Sequence, residues 1–306
     1  MNPSQQQSSR HAPRQAAPQA SRQAAQRASI MVDAPETAST PLSTWDVGLR
    51  AGNNETSGAV PAPIELAARF TVPAGGPATE QVELTVDAPG VVTPTTATTA
   101  ETVAAGDTLA CAWRYAPPVP SRPAPYSLPV VVTARYVSGG SARSVRETAE
   151  IRVPAPPAPT ETGYLSDLEF SFASNGFGPV ERDRENGELA VGDGPPLKLG
   201  GTTYEKGLGV HAASQVSVNL GGTCSRFTAV VGIDDAVGNE GSAVFVVRGD
   251  GEELFASEPL TGGGSTADVD VEVTGVQRLD LVVRDGGDGR GNDHADWADA
   301  RIHLEA

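Results

Sequence analysis

The feature that most constrains this fold is a series of short segments in which apolar and polar residues alternate, each closed by Gly or Asp. In the second half of the chain they are QVSVNLGG, RFTAVVGIDD, SAVFVVRGDGEELFAS, ADVDVEVTG and QRLDLVVRDGG. A period of two puts successive side chains on opposite faces of a strand, so one face can be buried while the other stays wet. Phe245 and Val247 thus face one way, and Val244 and Val246 the other. RGDGEE, set between apolar runs, is a hairpin signal. No amphipathic helix separates these segments, and together they predict an antiparallel β-sandwich.

The first half repeats the pattern. Val82, Leu84 and Val86 alternate ahead of an Asp-Ala-Pro-Gly turn, and Leu109, Cys111 and Trp113 alternate in DTLACAWRYAPP. YSLPVVVTARYVSGGSARSVRETAEIRVP is two strands around a Gly-Gly turn. These predict a first sandwich, Ig-like, over residues 44–154. A stiff Pro-rich linker over residues 155–162 separates it from a second sandwich over residues 163–306. Residues 1–43 form an Arg/Gln/Ala-rich tail, expected to be disordered because it has too little apolar surface to offset ordering. The fold class expected is all-β. No run of about 18 apolar residues occurs, so no membrane span is expected.

Charge narrows the partners. Residues 163–306 hold 10 basic and 25 acidic residues, which accounts for −15 of the net −16. Such a surface repels nucleic acid and anionic lipid, whereas neutral ligands and divalent cations can approach it. Residues 1–31 carry the opposite sign, with Arg10, Arg14, Arg22 and Arg27 and no acid, but lack the apolar core of a secretory signal. Cys111 and Cys224 fall in different domains and are expected to be buried free thiols.

The richest chemistry lies near the end, where Asp293, His294, Asp296, Trp297 and Asp299 stand close together. Paired carboxylates can hydrolyse glycosides. Here, however, the acids sit mostly in turns and at strand edges, and neither a Gly-x-Ser-x-Gly elbow nor a βα barrel pattern is present. No enzyme is expected. Zinc is disfavoured, because His211, His294 and His303 form no His-Glu-x-x-His motif and no cysteine pair accompanies them. DGGDGRGNDHADWAD and PVERDRENGE, with Glu181, Asp183 and Glu185, offer the hard oxygens that calcium prefers, though without EF-hand spacing. Two solvated turns would look the same. A sugar site combines an aromatic face with a few fixed polar groups. Trp297 beside Asp293 and His294 has that composition, as does YEKGLGVHAAS with Tyr204, Lys206 and His211. From composition alone, Trp297 suits a core plug better than a sugar platform.

Four motifs in order, KGLGVHA, VGIDD, VFVVRGDG and DHADWADARI, resemble the NPCBM domain, carbohydrate-binding module family 51, over about residues 163–306. The preceding residues resemble the Ig-like NPCBM-associated domain of bacterial α-galactosidases. The resemblance implies a galactose-binding-like jelly roll that binds terminal galactose-type glycans and carries a structural calcium ion. It implies sugar-binding roles for Tyr204, His211, Asp293, His294 and Trp297, and calcium ligation by Glu181, Asp183 and Asp299. It also implies an extracellular setting and, as partner, a glycosidase catalytic module on a neighbouring chain. The alternatives are a structural or protein-interaction sandwich without a working sugar site, and a detached fragment of an α-galactosidase-type glycoside hydrolase.

Overall fold

The computed structural model describes residues 29–33, 64–93 and 98–304. As expected, it is built almost wholly of antiparallel strands, interrupted by two short 3-10 turns, Leu165–Asp167 and Asp235–Val237. Among the described residues, no helix is long and apolar enough to cross a membrane.

The first domain is a pair of four-stranded sheets. One runs in the order Ser29–Asp33, Ile64–Thr71, Thr108–Ala116, Val91–Thr93, and the other Thr98–Val103, Thr79–Asp87, Tyr126–Ser138, Ser141–Val153. Leu66, Phe70, Trp113 and Tyr115 of the first sheet meet Val82, Leu84, Val130 and Val132 of the second in one core. The alternation in the sequence produces this directly, since each strand contributes every second residue to the shared interior. One boundary needs correction. Ser29–Asp33, expected to belong to an unstructured tail, pairs antiparallel with Ile64–Thr71, with Ser29 opposite Thr71. The remainder of the expected tail lies outside the described residues.

The linker is tied to the second domain. Asn219 Nδ2 donates to the Pro156 carbonyl at 2.7 Å, and Thr162 Oγ1 accepts the Leu304 N–H at 3.1 Å. Two six-stranded sheets follow. In one, the strands Phe170–Ser174, Ser214–Asn219, Arg278–Asp285, Ser242–Gly249 and Glu252–Ala256 lie side by side. In the other the order is Glu181–Arg182, Gly207–His211, His294–Leu304, Cys224–Ile233, Thr266–Glu272; the sixth strands are Leu260–Thr261, paired with Ser242–Gly249 in the first sheet, and Gly163–Tyr164, paired with His294–Leu304 in the second. Phe227, Val231, Phe245, Val247, Leu281 and Trp297 are buried between them. Cys111 and Cys224 are free and buried, one in each core.

Candidate functional site

The site grows from the last strand, His294–Leu304, which lies between Gly207–His211 and Cys224–Ile233. Trp297 points inward and is fully buried. Its indole meets Phe245 edge-on at 5.2 Å between centroids and Phe227 at 6.3 Å. With Trp297 inward, the period of two turns His294 and Asp296 to the outer face of the sheet. Directly opposite Asp296 stand Gly209 on one side and Gly232 on the other.

Those glycines decide what covers the outer face. A Cβ on Gly209 would lie 2.3 Å from the Arg184 carbonyl oxygen, and one on Gly232 would lie 2.8 Å from that of Ser265. The chain from Asp183 onward can therefore rest on the sheet backbone itself. It closes over a set of buried acids: Glu185, Asp234 and Asp296. Glu185 Oε2 takes a hydrogen bond from His294 Nδ1 at 2.9 Å. Asp234 accepts the Lys198 N–H at 2.8 Å and, as the cap of the second 3-10 turn, the Ala236 N–H at 2.7 Å. Neither Asp296 oxygen makes a hydrogen bond of ordinary geometry. Burial first, and then the facing Asp234 carboxylate, raise the Asp296 carboxyl well above its usual range.

At the rim of this covered region the pairing of His211 with His294 brings two imidazoles together, 5.3 Å apart and nearly perpendicular. His211 Nδ1 lies 2.8 Å from the Ala212 carbonyl oxygen, which assigns the proton to Nδ1 and leaves Nε2 as an acceptor. Burial lowers the His211 pKa, so its ring is neutral. The Phe177 ring stands 5.8 Å from His211 and is 36% exposed, on a surface where large apolar side chains are few. An exposed aromatic ring and two imidazoles thus share one rim, with the buried Glu185 carboxylate held behind His294. That set can pack an apolar face and exchange hydrogen bonds with hydroxyls.

The expected sugar residues are only partly united here. His211 and His294 are brought together. Asp293 is buried beneath them, with Oδ1 accepting the Ser242 N–H at 2.9 Å. Its carboxyl is pushed up to about 6, by burial first and by Asp285 and Asp288 after it. Trp297 is a correction: its indole is closed inside the core and offers no face to a ligand. Tyr204 is another: its N–H donates to the Leu197 carbonyl at 3.0 Å, just before the Gly207 end of the strand, which pairs with Ala298, whereas His211 at the other end pairs with His294.

The three expected calcium ligands do not converge. Both Glu181 oxygens take the Gly192 N–H, at 2.8 and 2.9 Å. Asp183 receives Lys206 Nζ at 2.9 Å and the Gly207 N–H at 3.2 Å. Burial alone would raise its carboxyl, but the nearby Ser166 hydroxyl and the hydrogen bonds from Lys206 and Gly207 outweigh that and hold it below its usual value. Asp299 pairs with Arg301 at 3.2 Å. Lys206 Nζ, also 2.6 Å from Asp167, supplies the positive charge that a metal would have brought. Among the described residues, no group of three or more acidic, histidine or cysteine side chains is arranged for a metal ion. The residues assigned to calcium do not fit it. Chelation is accordingly expected to leave the melting temperature of the purified protein unchanged, because an ion bound to the folded form alone would raise it.

Sequence reasoning missed Phe177 and Asn175 and left Glu185 only as part of an acidic turn. A phenylalanine between two glycines in SNGFGPV was the available signal, since small residues on both sides leave its ring no covering neighbour.

With this geometry in place, comparison with known proteins identifies the domain. The NPCBM/NEW2 domain model matches residues 161–303. A curated relative, a putative endo-alpha-N-acetylgalactosaminidase of Renibacterium salmoninarum, is 41% identical over 232 residues, covering 74% of this chain and 15% of the relative. An alpha-1,3-galactosidase B of Akkermansia muciniphila is 32% identical over 107 residues, covering 34% of this chain and 13% of that protein. The chain therefore spans only a small part of the length of either relative. Among solved structures, the CBM51 module of Clostridium perfringens GH95 in complex with methyl-galactose is 35% identical, with a TM-score of 0.43 over 46% of this chain and 99% of that one. Residues 161–303 are an NPCBM domain.

Proposed function

We propose that this chain is a non-catalytic carbohydrate-binding unit whose NPCBM domain takes terminal galactose-type glycans and serves a glycosidase module as an accessory. The observation that carries this reading is the rim formed by Phe177, His211 and His294, with Glu185 buried behind His294. The exposed ring supports the apolar face of a pyranose. The His211 Nε2 acceptor and the Glu185–His294 pair are suited to its hydroxyls. The two curated relatives support the sugar class, since they are named as a galactosaminidase and a galactosidase. The Ig-like reading of the first sandwich and its role as a spacer belong to the same proposal. A second role is favoured by Leu189 and Val191, 43% and 68% exposed, on the chain near the rim. Apolar side chains there could instead meet a protein partner.

Titration calorimetry with methyl-galactoside and an array of galactose-terminated glycans test the first reading. Binding to none of them overturns it. Phe177→Ala is expected to weaken binding by roughly tenfold, the loss of about 1–1.5 kcal/mol of aromatic contact, with little change in melting temperature. Affinity for a single monosaccharide should be weak, because a small wet site gains little over water.

A further inference from the structure

The segment Ser174–Pro179 carries Phe177 over the rim and has almost no side chains of its own to anchor it. A Cβ on Gly176 would lie 2.1 Å from the Ala212 carbonyl oxygen, and one on Gly178 would lie 2.2 Å from that of Glu188. The chain is threaded between those two carbonyls, and packing cannot hold it by larger residues at either position. Gly176 N–H donates to the His211 carbonyl at 3.1 Å, and the rest of the hold comes from one buried amide. Asn175 is 4% exposed. Its Nδ2 stands 2.7 Å from the Phe177 carbonyl oxygen, 2.8 Å from that of Pro179 and 2.6 Å from Asn186 Oδ1, with the Gly178 carbonyl at 3.4 Å, so its two hydrogens are shared among these acceptors. Its Oδ1 accepts the His211 N–H at 2.6 Å.

We infer that Asn175 is the positioning residue of the sugar site, setting the Phe177 loop, the His211 strand and the Asn186 segment in register before any ligand arrives. This rests on the reading of the rim as a sugar site. The chemistry is particular to an amide. Donor and acceptor must stand on one short side chain, because the His211 backbone offers an N–H while the Phe177 and Pro179 carbonyls offer only oxygens. An aspartate of the same shape turns acceptor oxygens against the Phe177 and Pro179 carbonyls. An alanine leaves those carbonyls and the His211 N–H without their partner. Asn175 itself reaches no ligand. It acts by keeping the Phe177 ring beside His211, so that binding does not have to order the loop.

Two measurements test this on the full chain. In the first, hydrogen exchange of residues 176–188 is compared between the parent protein and Asn175→Ala, with Asn175→Asp as the isosteric variant. Exchange should quicken in that segment and stay slow in the strands around Trp297. Unchanged exchange in the segment overturns the hub role, whatever the ligand. The second is a double-mutant cycle on galactoside affinity. Asn175→Ala should weaken binding on the order of tenfold in the parent and by much less in Phe177→Ala, because the ring it positions is already gone. A full additional loss in the Phe177→Ala background, or wild-type affinity in Asn175→Ala, overturns the inference. A parent protein that binds no galactoside overturns the sugar reading and the positioning role with it, while altered exchange would still stand as a loop-ordering result and so tell the two failures apart.

Discussion

Trp297→Ala is expected to destabilise the second domain by about 3–5 kcal/mol, the usual loss for removing a buried aromatic side chain. The indole is fully buried, with Phe245 edge-on and Phe227 tilted beside it. Its removal leaves a void between the two sheets that strands held by neighbours on both sides cannot close. Urea unfolding followed by circular dichroism measures the change, and the midpoint should fall without a change in slope. Galactoside affinity, measured well below the new melting temperature, should stay near that of the parent. The opposite pattern, lost affinity with an unmoved midpoint, would return Trp297 to the sugar site.

Asp296→Asn is expected to stabilise the protein increasingly as the pH rises above about 4. Asp296 is buried, faces the Asp234 carboxylate and has Glu185 nearby. The nearby Lys198 N–H, which is bonded to Asp234, offsets these only in part. Its folded-state carboxyl is raised well above 3.8, so the folded form must hold a proton that the unfolded form gives up more readily. The stability tied to that proton is therefore full below the unfolded value and is lost as the pH climbs toward the folded one. An asparagine keeps the shape, offers an N–H toward the facing Asp234 and has nothing to titrate. The difference in unfolding free energy between variant and parent should grow by about 1.4 kcal/mol per pH unit from about pH 4, then level off at the folded value. A difference that stays flat from pH 4 to 9 would show that Asp296 is ionised in the folded protein.

Much of the fold was legible because alternation is a local property. Val82, Leu84 and Val86 face the first core, and Phe245 and Val247 the second, as their spacing required. Composition and the Gly and Asp turns supplied the strand ends. The strand Ser29–Asp33 escaped notice because its partner begins at Ile64, and no short-range pattern records a pairing across such a gap. The site was legible in part. KGLGVHA and DHADW marked His211 and His294, but Glu185, the partner of His294, lies 109 positions away. Composition favoured a core plug for Trp297 but could not decide against a sugar platform, since either role wants an aromatic ring. The choice of calcium residues met a related limit. Glu181, Asp183 and Asp299 are acidic and placed in turns, yet their oxygens are already engaged by Gly192, Lys206 and Arg301.

By itself, then, the sequence determined the strands, the two sandwiches, the acidic surface and the family motifs, all of which follow from spacing and composition along the chain. Only the tertiary structure decided that Trp297 braces the core, that Phe177 stands at the rim, and that Asn175 holds it there. Those roles depend on which side chains meet across sheets and loops, and contacts between residues distant in sequence exist only once the backbone has closed around them.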